Sequence, residues 1–529
     1  MKCFRRGILF GALAGICWTG IAFTQSVPVP QRGGGAIFTL SQDPTTVNPD
    51  VSTNPPDRQV GCIIYQGLVQ LSTDYKVLPL LAKSWTASTD GLTYTFELND
   101  AEWHDGKPFT SDDVKYSLLE VSAKYSAVFA PAGRAIESIE TPAKNRVIIK
   151  LKQPFGPFLI SLGCIQGAAI MPAHIFRGTD VLKNPATTTT PVGTGAFKLA
   201  EWRRGDYLRL VRNTKYYEPG KPLLDEVIGK IIGQTSTRLQ ALQAGEVDFV
   251  QYVATSALPG LRADPRVKVL QSDSAPNVAL AFLNTQRKPL NDRRVRQALF
   301  MATDREYLIK NAYFNSGSAG IAPFTTEIGW AVNPDVDYRK MYPFDAARAN
   351  ALLDEAGVKR DANGKRFSVR MLMFATQYPE YQQVSVAMKS MWQAIGVDVV
   401  IDALEDATFI KRVYVDGDFD VAFNNYTTYS DPALGIARTF VTSSIGQPFG
   451  NAARYSNPEV DALFEKGVRA TSYEERGPFY QRIQAILAAD LPVFTLRQHR
   501  EMNAAAKHFE GIAGNVQGLG LWTDAWIAK

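Results

Sequence analysis

Histidine and cysteine are scarce: the 529-residue sequence contains four of each. The histidines, His104, His174, His499 and His508, are far apart, and no His or Cys pair has the spacing of HExxH or CxxC. Because a protein-built metal site needs several such ligands close together, the sequence predicts neither a metal site nor a cofactor. A nickel chelate that carries most of its own ligands stays an alternative, since a single histidine would then suffice.

Two further patterns are missing, and each argues against a class of function. There is no G-x-S-x-G segment, and His104-Asp105 has no assignable serine partner, which disfavours a hydrolase. The segment Gly193–Gly195 lacks the lysine of a phosphate-binding loop, and no basic stripe alternates with aromatic residues. Nucleotide and nucleic-acid binding are therefore disfavoured as well.

The N-terminus has the layout of a secretory signal. Lys2, Arg5 and Arg6 precede an apolar run from residue 7 to 23, and three small or polar residues close it at Ser26. This pattern predicts a cleaved signal peptide over residues 1–26 and a periplasmic protein, with a membrane anchor as the alternative. Loss of the three positive charges lowers the formal net charge from +5 to about +2, so the basic pI is no argument for a nucleic-acid partner.

Removal of the signal would leave two cysteines, Cys62 and Cys164. The periplasm permits oxidation, so the two could form a disulfide. They could equally be two buried thiols, because the sequence does not give the distance between them.

The remaining chain is long enough for more than one core. About 500 residues exceed what a single hydrophobic core usually serves, so two or more lobes are expected. Residues 92–98 alternate between apolar and polar, which indicates a half-buried strand, and Val397–Ile401 indicates another. Helices are predicted to begin after Asp292, Asp345 and Asn457, each followed by an apolar stripe. Interleaved helices and strands predict an α/β protein.

Several segments spread along the chain carry a specific resemblance. They are Leu81–Leu98 (LAKSWTASTDGLTYTFEL), Ala101–Val114 (AEWHDGKPFTSDDV), Pro191–Trp202 (PVGTGAFKLAEW), Ala241–Phe249 (ALQAGEVDF), Pro289–Glu306 (PLNDRRVRQALFMATDRE), Tyr455–Leu463 (YSNPEVDAL) and Leu491–Val493. Through these segments the chain resembles the extracellular solute-binding proteins of the peptide, opine and nickel importers, family 5.

The resemblance implies a two-lobed periplasmic-binding-protein fold with a hinge of two chain crossings. Lobe one would comprise residues 27–273 and 497–529, with an extra subdomain at 65–180, and lobe two residues 274–496. The crossings are expected near 274–284 and 491–500. Ligand would be buried in the cleft between the lobes.

The function implied is that of a periplasmic solute-binding component of an ABC importer, not an enzyme. The expected partners are a peptide-like or other small polar ligand and the membrane permease, with the chain itself a monomer. Two alternatives remain: a ligand-binding sensor subunit for a chemoreceptor, and a secreted hydrolase.

The stretch 419–440 (FDVAFNNYTTYSDPALGIARTF) is expected to line the cleft. In peptide binders of the family, an acidic residue three positions before an Asp-Pro pair fixes the ligand ammonium group, and here that position is Thr428. A hydroxyl cannot balance a buried ammonium, and an unpaired buried charge costs roughly several kcal/mol, so peptides with a free amine are in doubt. Asp431 could serve instead, or could cap the helix after Pro432.

Other candidate ligand-binding residues are aromatic or basic. Tyr426 and Tyr429 could stack on a ligand or fill core. Trp330 and Phe324 lie in a Pro- and Gly-containing loop, which favours a pocket lining. Arg497 could bind a ligand carboxylate in bidentate fashion, the alternative being a solvated surface arginine.

Overall fold

The computed structural model describes residues 29–72, 76–271, 276–375, 378, 380–512 and 522–528. The predicted signal segment 1–26, together with Cys3 and Cys17, lies outside the described residues, as does Ser274 of the first predicted crossing. No helix within these ranges is long and apolar enough to cross a lipid bilayer.

The strands of the described ranges are mostly short. In chain order they are β1 (Gly35–Leu40), β2 (Val69–Leu71), β3 (Val77–Pro79), β4 (Ala82–Ala87), β5 (Thr93–Leu98), β6 (Ile136–Ala143), β7 (Arg146–Leu151), β8 (Phe197–Arg203), β9 (Tyr207–Arg212), β10 (Glu226–Ile231), β11 (Phe249–Val250), β12 (Val267–Gln271), β13 (Asn277–Leu283), β14 (Ser318–Ala319), β15 (Phe367–Phe374), β16 (Val397–Leu404), β17 (Val421–Thr427), β18 (Val493–His499), β19 (Met502–Ala506), β20 (Phe509–Glu510) and β21 (Trp526–Ile527).

The helices alternate with these strands. They are α1 (Pro55–Ile64), α2 (Ser111–Tyr116), α3 (Ala123–Tyr125), α4 (Ala130–Ala135), α5 (Phe158–Ser161), α6 (Ala173–Phe176), α7 (Thr235–Ala244), α8 (Leu258–Ala263), α9 (Arg293–Met301), α10 (Arg305–Asn311), α11 (Tyr338–Met341), α12 (Ala346–Glu355), α13 (Glu380–Ala394), α14 (Asp406–Ile410), α15 (Pro432–Gly435), α16 (Pro458–Arg469) and α17 (Tyr473–Asp490). Wider π-helical turns follow α2 and α14.

Local sequence signals account for many of these boundaries. The predicted alternation appears in β5, where Tyr94, Phe96 and Leu98 are buried and the intervening residues are half-buried. Helices α9, α12 and α16 begin where predicted, because Asp292, Asp345 and Asn457 each accept a hydrogen bond from a free N–H of the first turn.

Three sheets organise the molecule into the predicted α/β, two-lobed fold. A seven-stranded sheet has the order β12-β19-β11-β1-β10-β9-β8, and a four-stranded sheet beside it has the order β4-β5-β7-β6. A six-stranded sheet has the order β14-β18-β13-β17-β15-β16. The first two sheets take their strands from the N-terminal half and β19, whereas the third is built from the chain between β13 and β18.

The chain therefore passes between the two large sheets twice. It enters the six-stranded sheet between Gln271 and Asn277 and returns to the seven-stranded sheet between His499 and Met502. Strands β13 and β18 occupy most of the predicted crossing ranges 274–284 and 491–500. The first passage lies at the start of its predicted range, and the second lies at the end.

Strand β13 is the central element of the second lobe. All seven of its residues are buried, and alternate side chains enter two separate cores: Ala279, Ala281 and Leu283 in one, Val278 and Leu280 in the other. A strand covered on both faces has to be a continuous apolar run, as NVALAFL is.

Apolar contact also joins the two lobes away from the hinge. Leu434, which follows the Asp-Pro pair, packs against Leu71 and Ile160 of the four-stranded subdomain. Close by, the Gly156 N–H donates a hydrogen bond to the Val468 carbonyl at 2.7 Å. These contacts hold lobe two against lobe one.

A disulfide joins Cys62 of α1 to Cys164 in lobe one. The two Cα atoms are 5.9 Å apart and the bond closes a loop across a sequence separation of 102. Of the two alternatives left open by the sequence, the bridge is the one found.

Candidate functional site

The topology of the six-stranded sheet brings polar residues together at one end of its central strands. Strand β13 is antiparallel to both β17 and β18, so its first residue, Asn277, lies opposite Thr427 and His499, near the ends of those strands. The two passages between the lobes adjoin these same strand ends. Side chains from the starts and ends of these strands therefore meet in the cleft.

Arg497 lies near the end of β18 in the six-stranded sheet. It is 1% exposed, so the alternative of a solvated surface arginine is wrong. Its guanidinium carbon lies 4.1 Å from the centre of the Tyr313 ring, and Nη2 lies 3.6 Å from Glu380 Oε1. Burial raises the pKa of Glu380, and the charge of Arg497 opposes that shift. Glu380 is thus the carboxylate that balances Arg497.

His499 receives a hydrogen bond from Arg497. The distance from Arg497 Nη2 to His499 Nε2 is 3.0 Å, and because arginine can only donate, Nε2 accepts and the ring proton is on Nδ1. Burial, followed by the charge of Arg497, lowers the pKa of His499 to about 4. The imidazole is therefore neutral at pH 7.

Glu501 lies between the two lobes, in the second passage. Its Oε1 accepts from Asn277 Nδ2 at 3.0 Å, and Asn277 Oδ1 accepts from Thr427 Oγ1 at 2.6 Å. Burial alone would raise the pKa of Glu501, but the guanidinium of Arg497 and the hydrogen bond from Asn277 oppose that rise, and the pKa is lowered overall. An ionised carboxylate thus lies one hydrogen-bonded residue away from the loop that contains Thr428.

Lobe one contributes Arg58 and Tyr252. Arg58, on α1, is 8% exposed; burial lowers its pKa, and the nearby Tyr429, Asp50 and Tyr252 oppose that shift. Tyr252 is 40% exposed, yet burial raises the pKa of its hydroxyl. Protein therefore surrounds the Tyr252 hydroxyl although part of the side chain is open.

Several residues of the candidate cleft have buried polar atoms without a hydrogen-bond partner. Within the described ranges, buried nitrogens of Arg58 (Nε and Nη2), Arg497 (Nε and Nη1) and His499 (Nδ1) have no hydrogen-bond partner, and the same holds for the hydroxyls of Thr428 and Ser430. Buried polar atoms are normally paired, so a group of orphaned donors marks a place where acceptor oxygens bind. The cleft is suited to a ligand rich in carbonyl or carboxylate oxygens.

The loop after β17 has a constrained backbone. Tyr429 and Ser430 adopt positive φ angles of 48° and 64°, an uncommon conformation for residues other than glycine. The Thr428 N–H donates to the Pro276 carbonyl at 3.0 Å, which fixes the start of the loop. Such strain persists only where the surroundings impose it, and it accompanies binding sites. Tyr429 of this loop lies beside Arg58 of lobe one, and Thr428 is fully buried.

Asp431 forms a buried ion pair. Its two carboxylate oxygens accept from Arg476 at 2.6 and 2.7 Å, and Oδ1 also accepts from the Ala433 N–H, which confirms the predicted capping of α15. The Arg476 guanidinium carbon in turn lies 4.8 Å from the centre of the Trp330 ring, which stacks on Tyr473. The structure therefore brings Asp431 and Trp330 together through Arg476, away from Arg497.

Tyr426 and Phe324 lie behind the cleft wall. Phe324 is 3% exposed and packs against Phe440 and Phe464, so its loop turns this ring into the core and not toward a pocket. Tyr426 is 2% exposed, and its hydroxyl donates to the Phe449 carbonyl at 3.1 Å. Of the two interpretations of Tyr426, core packing is the one that its surroundings support.

Several cleft residues were not among the sequence-based candidates: Arg58, Tyr252, Glu380, Glu501 and, except as a metal ligand, His499. They come from widely separated segments. Arg58 gives little local signal, because it lies between Asp57 and Gln59 in the polar first half of α1. As for metals, the described residues contain no group of three or more His, Cys, Asp or Glu side chains able to hold an ion.

The buried, neutral His499 predicts a pH effect on stability. Its pKa of about 4 lies below the unfolded value near 6.5, so the unfolded state binds the proton first, and stability is lost as pH falls from about 6.5 to 4. Between pH 7 and 4, we expect the Tm of wild-type protein to fall by several degrees more than that of His499→Gln, as measured by calorimetry. Substitution of the half-exposed His508 is the control. Parallel curves for wild type and His499→Gln would contradict the prediction.

Known proteins are similar to this chain over most of its length. Residues 76–447 match the family model described as bacterial extracellular solute-binding proteins, family 5 Middle. A probable D,D-dipeptide-binding periplasmic protein of Escherichia coli is 30% identical over 490 residues, which cover 90% of this chain and 91% of the relative.

Two solved structures show the range of relatives. A periplasmic binding protein of Helicobacter pylori in complex with the peptide STSA has a TM-score of 0.75 and 25% identity, covering 94% of this chain and 99% of that one. A binding protein of A. tumefaciens in complex with agropinic acid has a TM-score of 0.73 and 27% identity, with the same coverage.

Proposed function

Because the chain belongs to the bacterial extracellular solute-binding proteins of family 5, we propose that it captures a peptide-like ligand between its lobes and delivers it to an ABC permease. Relatives named as peptide-binding support the ligand class. A monomer that is secreted through cleavage after residue 26 and works in the periplasm fits this role. Neither alternative, a chemoreceptor subunit or a hydrolase, is supported by the matches, whose members are binding proteins and not enzymes.

The observation that carries the proposal is the group of unpartnered donors in the cleft. Arg497 and His499 have buried N–H groups without a hydrogen-bond partner, near the start of the second passage between the lobes. Peptide carbonyl groups are acceptors without charge, and they can satisfy such donors at low desolvation cost. We assign the carbonyl contacts to Arg497, His499, Thr428 and Tyr429. Tyr426, Asp431, Trp330 and Phe324 then support the loop from behind.

The lobes of the proposed cycle are residues 27–273 with the C-terminal tail, including the subdomain 65–180, and the chain from 274 onward. Sheet membership favours a second boundary a few residues after the predicted 496/497, since β18 belongs to the six-stranded sheet up to His499. Closure about the two passages would exclude water around the ligand and strengthen its polar contacts.

Glu501 replaces, in this proposal, the acidic residue that position 428 lacks. Its pKa is lowered, and it accepts a hydrogen bond from Asn277, which in turn accepts one from Thr427, the residue before Thr428. Its side chain is 30% exposed, so it can reach the cleft. A ligand ammonium paired with Glu501 would remove the doubt about peptides with a free amine.

A thermal-shift comparison tests the peptide ligand. Protein freed of bound solute by unfolding and refolding is mixed with pooled dipeptides and tripeptides, and in parallel with their N-acetylated forms. Ligand at 100 times Kd should stabilise by about 2.7 kcal/mol. We expect free peptides to raise Tm and Glu501→Gln to weaken their binding about 10- to 100-fold, the usual effect of losing a charged hydrogen bond.

The acetylated pool and a surface variant serve as controls. Acetylated peptides should bind wild type and Glu501→Gln equally, and Glu97→Gln, in strand β5 of the subdomain, should behave as wild type. Equal binding of free and acetylated peptides by wild type would rule out the ammonium contact. If neither pool binds, the peptide ligand is wrong, and opines, sugars and chelates are the next panel.

A further inference from the structure

Arg58 is a buried cation that lacks a carboxylate partner. It is 8% exposed, and its Nε and Nη2 atoms are buried and make no hydrogen bond to any described residue. No ion pair within 4 Å connects it to an acidic side chain in the described ranges. Burying an arginine without a partner is costly, so such residues are rare unless they bind something.

Asp50, the nearest candidate counter-ion, is already engaged elsewhere. Its Oδ2 accepts from Ser122 Oγ at 2.6 Å and its Oδ1 from the Ala169 N–H at 3.0 Å. Burial raises the pKa of Asp50 to about 7, and Arg58 is the weakest of the influences that oppose this rise. At neutral pH, Asp50 therefore carries only part of a charge and balances Arg58 incompletely.

Arg497 differs from Arg58 in having an acidic partner. Both arginines are buried and both have unpartnered nitrogens, but only Arg497 has a carboxylate, that of Glu380, at 3.6 Å. The net positive charge that remains in the cleft is thus on the lobe-one side, at Arg58.

Two tyrosines of the candidate cleft lie near Arg58. Tyr429 and Tyr252 both oppose the lowering of the Arg58 pKa by burial, and 40% of the Tyr252 surface is exposed. Tyr252 also interacts electrostatically with Glu501, whose charge raises the pKa of its hydroxyl. A ligand that contacts Tyr252 would therefore lie near both the Arg58 cation and the Glu501 carboxylate.

We propose that Arg58 binds a carboxylate of the ligand, so that the solutes recognised in this cleft are carboxylic acids, the simplest being peptides with a free C-terminus. The carboxylate role that the sequence suggested for Arg497 falls instead to Arg58. This inference rests on the proposed ligand-binding role of the cleft, and it does not require the ligand to be a peptide.

The test compares acids with their amides. Affinities of wild type for trialanine and for trialaninamide are measured by calorimetry, and the comparison is repeated with Arg58→Gln and Arg58→Lys. An amide keeps a carbonyl oxygen but loses the charge. We expect wild type to prefer the acid by about 10- to 100-fold, Arg58→Gln to lose that preference to within about threefold, and Arg58→Lys to recover part of it.

Stability and a second arginine provide the controls. Because Arg58 lacks a partner, Arg58→Gln should keep the wild-type Tm or exceed it, whereas a structural role would lower Tm. Arg238→Gln removes another buried lobe-one arginine, whose nitrogens bond to Ile232, Gly233 and Thr235, and it should leave the acid preference intact. An acid preference that survives in Arg58→Gln would overturn the proposal.

A second panel separates this inference from the peptide proposal. If wild type binds neither trialanine nor its amide, the peptide ligand fails, and pooled N-acetyl amino acids and dicarboxylic acids are compared with their amides by thermal shift. Stabilisation by the acids alone, absent in Arg58→Gln, would support the carboxylate site. No stabilisation by any acid in either panel would overturn it.

Discussion

Replacement of Arg476 by methionine is expected to lower the free energy of unfolding by about 3 to 5 kcal/mol. Arg476 and Asp431 are both fully buried, at 0% exposure, and are joined by two hydrogen bonds. Without the guanidinium, the Asp431 carboxylate would stay in a low-dielectric environment without a counter-charge. The loss should appear in urea unfolding as a lower midpoint with an unchanged slope.

A double variant and an exposed pair sharpen this test. Arg476→Met combined with Asp431→Leu removes both charges, so it should be less destabilised than either single variant. Arg482, on the same helix, pairs with Glu459 at 2.9 Å in solvent, and Arg482→Met should cost less than about 1 kcal/mol. Additive effects in the Arg476–Asp431 cycle would show that the pair is not coupled.

Removal of the Cys62–Cys164 disulfide is the second change with a large expected effect. A cross-link that closes a loop of about 100 residues restricts the unfolded chain by about 4.7 kcal/mol in the chain-entropy model. The free energy of unfolding of the double variant Cys62→Ala, Cys164→Ala should therefore be lower than that of wild type by up to about 5 kcal/mol. Urea unfolding of lobe one, with and without reductant, measures it.

Reductant supplies the internal control for the disulfide. It should destabilise wild type to about the level of the double variant and have no effect on the variant itself. Unfolding of the six-stranded lobe should be unchanged, because both cysteines are in lobe one. A double variant within about 1 kcal/mol of wild type would contradict the prediction.

Features with local causes could be predicted from the sequence. Asp292, Asp345 and Asn457 cap their helices as expected, since a capping side chain and the N–H groups it binds are neighbours in the chain. The alternation that forms β5 is equally local. The two-lobed arrangement was predicted from the family motifs spread along the chain, because no local pattern indicates it.

The side chains of the cleft could not be predicted in the same way. Whether a charged residue binds ligand depends on which partner the fold brings to it, and that partner comes from a distant segment. Asp431 was a candidate, but Arg476 uses both of its oxygens. Arg58 was not a candidate, but among the described residues it forms no ion pair with a carboxylate, and two of its buried nitrogens have no hydrogen-bond partner. Glu501 is brought beside Thr428 only through the pairing of β13 with β17 and β18.

The contact of Leu434 with Leu71 and Ile160 has a consequence for how the protein would respond to scarce nutrients. In the proposed cycle these residues touch one another when the lobes meet, and they touch no ligand. Their apolar surface therefore sets the fraction of molecules that are closed before a solute arrives, and the apparent affinity scales with that fraction for every solute alike. Substitutions at the contact of Leu434 with Leu71 and Ile160 would thus change the apparent affinity for all solutes. Substitutions at the arginines and acids of the cleft would change which solutes are bound.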